Sequence, residues 1–210
     1  STRSHVPVNS PLSPNYVSRT DFLREQCRGK SVMHLGCSSG RYLKDRLERG
    51  SLLHAVLSQE AGEMHGLDLD EQSLQEMRSL GFTNLHQGNA EKLDNIEIKK
   101  KFDVVVAGDL LEHLTRPGAM LDGVKHLLAP RGRFIVSTVN AFGLHFQLRR
   151  WSGRYVEHFE HVCFYSPETL AHLFERHGYR VVEMHGAFTE PPHTWKQKIK
   201  FVLGAPLLRI

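Results

Sequence analysis

The stretch "SVMHLGCSSGRYLKDRL", residues 31–47, decides the fold because it changes from a strand pattern to a helix pattern within a few residues. The residues before Gly36 are mostly apolar, which predicts a β-strand, and those after Gly40 have helical spacing. Glycine at both ends of the corner permits a sharp turn and a close approach of the backbone to a ligand. The stretch therefore predicts a strand–turn–helix unit with a ligand at its corner.

The same alternation of strand and helix patterns continues along the chain of 210 residues. Further strand patterns occur at residues 64–69, 83–88, 101–108, 133–139 and 179–186. Helix patterns occur at residues 40–57, 70–81, 117–132 and 166–178. Such alternation predicts an α/β fold, a doubly wound, mostly parallel sheet with helices on both faces.

Composition and charge indicate a globular protein with reduced cysteines and a mildly basic surface. The chain has 40% hydrophobic and 24% charged residues and no apolar run long enough to cross a bilayer, as expected of a globular cytoplasmic protein. Its three cysteines show no CxxC pairing, which favours reduced thiols over a disulfide framework or a zinc site. The net charge of +4 favours an anionic partner only mildly, because the basic residues are spread along the sequence.

The second strand ends in "GLDLD", residues 66–70, which contains two acidic residues. Ligands of doubly wound sheets bind at the carboxyl ends of the strands, where an acidic side chain can accept both hydroxyls of a ribose. Asp68 is the better candidate because it follows the apolar step directly, whereas Asp70 is placed to cap the next helix. The pattern predicts a ligand with an ordinary ribose.

Two further strand ends carry polar residues. Asn89 and the backbone of Ala90 follow the third strand, where they could bind the edge of an adenine or simply form a turn. Asp109, Glu112 and His113 follow the apolar fourth strand, where the alternative to a site is a helix cap. Three polar residues together favour a site.

Five segments in order resemble the class I S-adenosylmethionine-dependent methyltransferases, and most closely the branch of ubiquinone-biosynthesis-like and other small-molecule O-methyltransferases. They are "HLGCSSG", "GLDLD", "GNAEKL", "FDVVVAGDLLEHLTRPGAML" and "LLAPRGRFIVSTVN". A sixth, "EHVCFYSPETLAHLFERHGY", resembles the segment before the final helix of that branch. The resemblance covers roughly residues 30–186 and implies a Rossmann-like fold with S-adenosylmethionine as cofactor.

The resemblance also implies a role for each matching residue of the cofactor site. The implied contacts are Gly36, Cys37, Ser38 and Gly40 around the methionine part and ribose, Asp68 at the ribose hydroxyls, Leu69 against the adenine, Asn89 and Ala90 at the adenine edge, and Asp109 under the methionine end. Two residues depart from the family pattern. His34 stands where the family usually has an acidic residue, and Ser38 replaces the middle glycine of its corner.

The single domain, 1–210, divides into four parts. They are an N-terminal arm (1–20), a cofactor-binding core (30–139), a substrate-lid insertion (140–165) and a C-terminal tail (187–210). Prolines predict little regular structure in the arm. The closing strand of the sheet could come from "KFVLGAPLLRI", residues 200–210, but its glycine and proline argue against a regular strand, so the sequence leaves its presence open. The basic and apolar tail fits a helix docked on the domain or on a second subunit of a homodimer, or a peripheral helix on a membrane surface.

Three histidines are candidates for the group that orients the acceptor or takes its proton. His113 follows the fourth strand, and "VEHFEHVCF" places His158 and His161 three residues apart in the lid insertion. Histidine has a pKa suited to general base catalysis, although a structural role for His161 is equally compatible with the sequence. No third ligand at a clear spacing supports a metal site at His158 and His161.

The sequence therefore predicts an enzyme that transfers a methyl group to a small-molecule acceptor, most readily a hydroxyl in a biosynthetic pathway, by in-line displacement. One alternative is a nucleic-acid methyltransferase, which the net positive charge and the basic segment "RRWSGR" allow, although the sequence shows no added RNA-binding domain. A second alternative is a non-catalytic protein that binds the cofactor and acts through partners, which the departure at His34 allows. A nicotinamide-dependent dehydrogenase is disfavoured because the corner is G-x-x-x-G and not GxGxxG.

Overall fold

The computed structural model describes residues 13–140, 143–153, 158–188 and 205–209. The β-strands are β1 (Ser13–Ser18), β2 (Ser31–Leu35), β3 (Glu63–Asp68), β4 (Leu85–Gln87), β5 (Phe102–Gly108), β6 (Leu128–Ser137), β7 (Glu183–Phe188) and β8 (Ala205–Arg209). The α-helices are α1 (Arg19–Cys27), α2 (Leu43–Glu48), α3 (Leu53–Ser58), α4 (Glu71–Ser79), α5 (Pro117–Val124), α6 (Leu144–Trp151) and α7 (Pro167–Arg176). Short 3₁₀ helices lie at Gly40–Tyr42, Ala90–Asn95 and Leu111–His113.

The eight strands form one sheet in the order β1-β7-β8-β6-β5-β2-β3-β4. β8 runs antiparallel to both of its neighbours, and every other neighbouring pair is parallel. The direction of winding reverses between β2 and β5, which is where doubly wound sheets open a ligand crevice. The predicted Rossmann-like, mostly parallel α/β fold is confirmed.

Both faces of the sheet are buried. Along β5, Val105 and Ala107 join an apolar cluster with α5 and α7, whereas Val104 and Val106 join a cluster with α1 and α3 on the other face. Burial on both faces explains why this strand is apolar throughout Val104–Ala107 and does not alternate. In the described part of the chain, no helix combines the length and apolarity that crossing a bilayer requires.

The closing strand, which the sequence left open, is present in the structure. β8 lies between β6 and β7, with Pro206 opposite Gly186. Its pairing with β6 begins only at Leu207, so the sheet accommodates proline near the open start of the strand. The remainder of the tail, residues 189–204, and the helix predicted there lie outside the described residues.

The N-terminal arm is also more regular than its prolines predict. β1 pairs in parallel with β7 at the edge of the sheet, and the Ser18 side chain caps α1 by accepting the Asp21 amide. The strand depends on a partner far away in sequence, which local turn signals do not reveal. Residues 1–12 of the arm lie outside the described part of the chain.

Several elements have boundaries that differ from the predicted ones. The helix expected at 40–57 is divided into a 3₁₀ turn, α2 and α3, with Gly50 left-handed at φ +63° in the break. The helix expected at 117–132 ends at Val124, because β6 already begins at Leu128 and contains the "APRG" segment. β7 begins at Glu183, four residues later than its pattern predicts.

A buried histidine pair lies behind the glycine corner. His34 on β2 stacks on His54 of α3 with ring centroids 5.6 Å apart, and both side chains are at most 2% exposed. Burial lowers the pKa of His54 from 6.5 to about 4 and holds the pKa of His34 well below its ordinary value. His34 therefore does not replace the acidic residue of the family pattern as a charged group.

This pair makes the folded state sensitive to acid. The unfolded chain takes up a proton at His54 near pH 6.5 and the folded protein only near pH 4, so stability is full above pH 6.5 and falls towards pH 4. At 1.36 kcal/mol per pKa unit the loss is about 3 kcal/mol over this window. We expect urea unfolding at pH 7 and pH 4.5 to show at least this loss, and His54→Leu to reduce it while His34 keeps its own share. His126→Leu is the control, because the His126 side chain is 74% exposed; equal acid sensitivity of all three proteins would contradict the prediction.

Candidate active site

The corner after β2 is shaped by left-handed residues. Gly36 (φ +71°), Ser39 (φ 62°) and Gly40 (φ +50°) all adopt positive φ. The positive φ of Gly36 favours glycine, and a Cβ there would lie 3.2 Å from the Leu110 side chain, which would have to shift slightly. Ser38 is buried and its Oγ accepts the Gly40 amide at 3.1 Å. Ser38, which replaces the middle glycine of the family pattern, thus stabilises the turn through this hydrogen bond.

Asp68 at the end of β3 is held against this corner. Its Oδ2 accepts the Ser38 amide at 2.8 Å, and its Oδ1 accepts the Asp70 amide at 3.1 Å. Asp70 itself caps α4 by accepting the Gln72 amide at 3.1 Å, as predicted. The two acidic residues therefore have separate tasks. Asp68 connects the end of β3 to the corner after β2, whereas Asp70 caps α4.

A cavity of about 790 Å³ opens at the carboxyl ends of β2, β3, β5 and β6. Its volume lies within the range that small-molecule sites occupy. The predicted site residues on its wall are Gly36, Gly40, Asp68, Leu69, Asp109, His113, His158 and His161. Leu69 is 67% exposed, which leaves an apolar surface available to a flat ring.

Four predicted cofactor contacts do not lie on this wall. Cys37 and Ser38 are buried behind it, and burial raises the pKa of the Cys37 thiol. Asn89 uses its Oδ1 to accept the Glu91 amide at 2.8 Å, which caps the 3₁₀ helix that begins at the buried Ala90. Contact of Asn89 and Ala90 with the adenine edge stays a prediction.

An ion pair between Arg19 and Asp109 lies beneath the cavity, and the sequence did not predict it. The Arg19 guanidinium bonds the Asp109 carboxylate and lies 3.4 Å from Ser137 Oγ. Asp109 has a left-handed backbone at φ +52°, which turns its side chain at the end of β5. Arg19 was missed because it lies within the arm, where no motif marks it.

Glu112 is the buried acid of the site. It is 0% exposed, and its Oε2 accepts the Thr138 hydroxyl at 2.8 Å. Burial, with a smaller contribution from the Asp109 charge, raises the pKa of Glu112 from 4.5 to about 7. Its backbone oxygen accepts the Val162 amide at 2.9 Å, which ties the second half of the lid insertion to the end of β5.

The three candidate histidines come together on the cavity wall. The His161 ring centroid is 4.9 Å from that of His113 and 5.1 Å from that of His158. His113 Nδ1 lies 3.2 Å from the backbone oxygen of Glu160. We call His113, His158 and His161 the histidine cluster; it places titratable nitrogens opposite the glycine corner.

The lid insertion reaches across to the corner. The Arg41 guanidinium stacks on both Tyr42 and Phe159, with 4.9 Å to each ring centroid. Such cation–π contacts connect the first turn after the corner with the segment that carries two of the histidines. Residues 141–142 and 154–157 of the insertion lie outside the described part of the chain.

The strand order, the glycine corner at the switch point and the acidic residue beside it define a nucleoside-binding α/β protein. The sequence matches the methyltransferase domain family over residues 14–184, and the chain belongs to this family. It is an S-adenosylmethionine-dependent methyltransferase, with S-adenosylmethionine as its cofactor.

Individual relatives are distant. Ubiquinone biosynthesis O-methyltransferase of Xylella fastidiosa (strain M23) is 24% identical over 201 residues, which cover 91% of this chain and 74% of that protein. The S-adenosylmethionine-dependent methyltransferase of Mesorhizobium loti has a TM-score of 0.60 at 16% identity, covering 90% of this chain and 95% of its own. Magnesium protoporphyrin IX methyltransferase of Synechocystis PCC 6803, solved with bound S-adenosylhomocysteine, has a TM-score of 0.59 at 16% identity over 90% of this chain and 78% of its own.

Proposed function

We propose that this enzyme methylates a hydroxyl group of a small-molecule acceptor. The observation that carries the proposal is that the histidine cluster shares one cavity with Gly36 and Asp68. Histidine nitrogens beside a methyl donor can take the proton that a hydroxyl loses as its oxygen attacks the methyl group. The distant relatives named for ubiquinone O-methylation support the same chemistry.

The residues on the wall fit the cofactor. Asp68 offers a carboxylate to the ribose hydroxyls, and Leu69 offers its exposed apolar surface to the adenine. Asp109, held from beneath by Arg19, offers its carboxylate to the ammonium of the methionine part. When bound, S-adenosylmethionine supplies a methyl group already activated on a sulfonium sulfur.

The protein itself must align the acceptor hydroxyl with the methyl group and remove the hydroxyl proton. The histidine cluster and the lid insertion bring the acceptor to the cavity and restrict water, which favours an in-line approach. His158 is well placed to accept the hydroxyl proton, because it is half-buried and its Nδ1 lies 3.7 Å from the Glu160 carboxylate. A neighbouring carboxylate stabilises the imidazolium that proton transfer produces.

Transfer of a radiolabelled methyl group from S-adenosylmethionine to phenols, aliphatic alcohols, amines and RNA tests the proposal. We expect product only with hydroxyl acceptors, and a decrease of about 100-fold in kcat for at least one of the three single His→Ala variants. Transfer to amines or RNA alone would overturn O-methylation. Full turnover in all three variants would overturn the assignment of the base. A cytoplasmic location, a homodimer and peripheral membrane contact stay predictions.

A further inference from the structure

We propose that the acceptor carries a carboxylate group and that the Arg41 guanidinium binds it. Arg41 lies on the wall of the cavity that also contains Gly36, Asp68 and the histidine cluster, so its charge is within reach of a molecule in that space. This class of acceptor rests on the proposed function, because the acceptor must occupy the same cavity.

The Arg41 side chain has no anionic partner among the described residues. Its guanidinium lies over the Tyr42 and Phe159 rings, 4.9 Å from each centroid, and it forms no ion pair or hydrogen bond with a described side chain. Contacts with ring faces engage the charge of a guanidinium but not its N–H donors. The donors therefore stay available to a carboxylate, which arginine binds through two parallel hydrogen bonds.

The acidic groups on the same wall do not neutralise Arg41. The Asp68 carboxylate accepts two backbone amides, and the Asp109 carboxylate is paired with an arginine beneath the cavity. The Glu160 carboxylate lies 3.7 Å from a ring nitrogen of the histidine cluster. Burial raises the pKa of Glu112 to about 7, which leaves it only partly charged near neutral pH. Arg41 thus provides a positive charge without a counterion, which favours an anionic ligand.

A second positive charge on the wall belongs to Arg46. Its Nη1 lies 3.3 Å from Ser39 Oγ, and no described carboxylate pairs with it. Because Arg46 is oriented towards the corner, we assign to it attraction over a distance and not contact with the acceptor. Asp68 and Asp109 on the same wall would repel a phosphate with two charges more strongly than a carboxylate with one. The carboxylate therefore fits this balance of charges better.

The aromatic contacts place Arg41 next to the group proposed as the base. Phe159, which packs against the guanidinium, also stacks on His158 with ring centroids 5.1 Å apart. One aromatic ring therefore separates the anion site from the nitrogen that would accept the hydroxyl proton. An acceptor held by its carboxylate at Arg41 can present a hydroxyl to His158, and the stacked guanidinium loses little conformational freedom on binding it.

Calorimetric titration of the full chain, saturated with S-adenosylhomocysteine, tests the anion site with two matched probes. They are 4-hydroxyphenylacetate and its neutral amide, 4-hydroxyphenylacetamide, which have the same ring and the same hydroxyl. We expect the acid to bind at least about 10-fold more tightly than the amide, because hydrogen bonds to a charged group favour it.

Three variants assign the preference to the side chain. Arg41→Gln should bind the two probes equally, and Arg41→Lys should keep part of the preference because it keeps the charge but not the planar fork. Arg49→Gln is the matched control. It removes an exposed arginine of the next turn, which pairs with Asp45 and does not line the cavity, so the full preference should remain.

Absence of a preference for the acid in the wild-type protein, or a preference that survives Arg41→Gln, would overturn the anion site. Tighter binding of 4-hydroxyphenyl phosphate than of the acid would overturn the carboxylate class. A weaker affinity of Arg41→Gln for S-adenosylhomocysteine would assign the arginine to the cofactor and overturn its role towards the acceptor.

This proposal and the proposed function fail separately, because the titration involves no methyl transfer. A chain that prefers the acid but methylates only amines contradicts only O-methylation. A chain that methylates hydroxyl acceptors but binds the acid and the amide equally contradicts only the role of Arg41.

Discussion

Asp68→Ala is expected to raise the Kd for S-adenosylhomocysteine at least about 100-fold. The carboxylate has two tasks, since it would bind the ribose hydroxyls and it also fixes the corner by accepting the Ser38 amide. Hydrogen bonds to a charged group contribute about 1.5–3 kcal/mol each, and two of them correspond to more than two orders of magnitude in affinity. Calorimetric titration of the variant measures the loss directly.

Asp70→Ala provides the matched control, because it removes a carboxylate two residues away that faces α4. Loss of its cap on the Gln72 and Ser73 amides should cost about 1 kcal/mol of folding stability. We expect its affinity for S-adenosylhomocysteine to stay at the wild-type value. Equal loss of affinity in the two variants would mean that Asp68 has no special place in the site.

Leu208→Pro should be the most damaging substitution for the fold. Leu208 pairs with Val136 on one side and Met184 on the other, so β8 is the strand that joins β7 and β1 to the rest of the sheet. Proline removes a ladder hydrogen bond and leaves a carbonyl without its donor, at a cost on the order of 3 kcal/mol. Urea denaturation should show this loss of stability or a chain that no longer folds.

Leu208→Val is the control at the same position, because valine favours strand backbone and keeps its amide hydrogen. We expect it to unfold at nearly the wild-type urea concentration. If the proline and valine variants were equally stable, β8 would not occupy the interior of the sheet.

The order of elements and the corner were predictable because their signals are local. Burial on both faces makes β5 apolar from Val104 to Ala107, and the left-handed turn between strand and helix favours glycine at position 36. The division of tasks between Asp68 and Asp70 also followed from position, since one directly ends a strand and the other precedes a helix.

Features that depend on distant partners were not predictable in the same way. β1 and β8 are strands because of the neighbours they pair with, while their own prolines argue against regular structure. Arg19 enters the site only because α1 packs beneath the end of β5, where it meets Asp109. Glu112 was predicted as a site residue from its place after the strand, but its full burial beside the Val162–Cys163 segment was not.

Calorimetric titration of the wild-type protein with S-adenosylhomocysteine, and separately with NAD⁺, tests the central claim most directly. The account predicts binding of one S-adenosylhomocysteine per chain and no heat with NAD⁺, because the corner lacks the GxGxxG spacing that a dinucleotide requires. Absence of S-adenosylhomocysteine binding, or equal binding of NAD⁺, would contradict the assignment of this corner as the cofactor site.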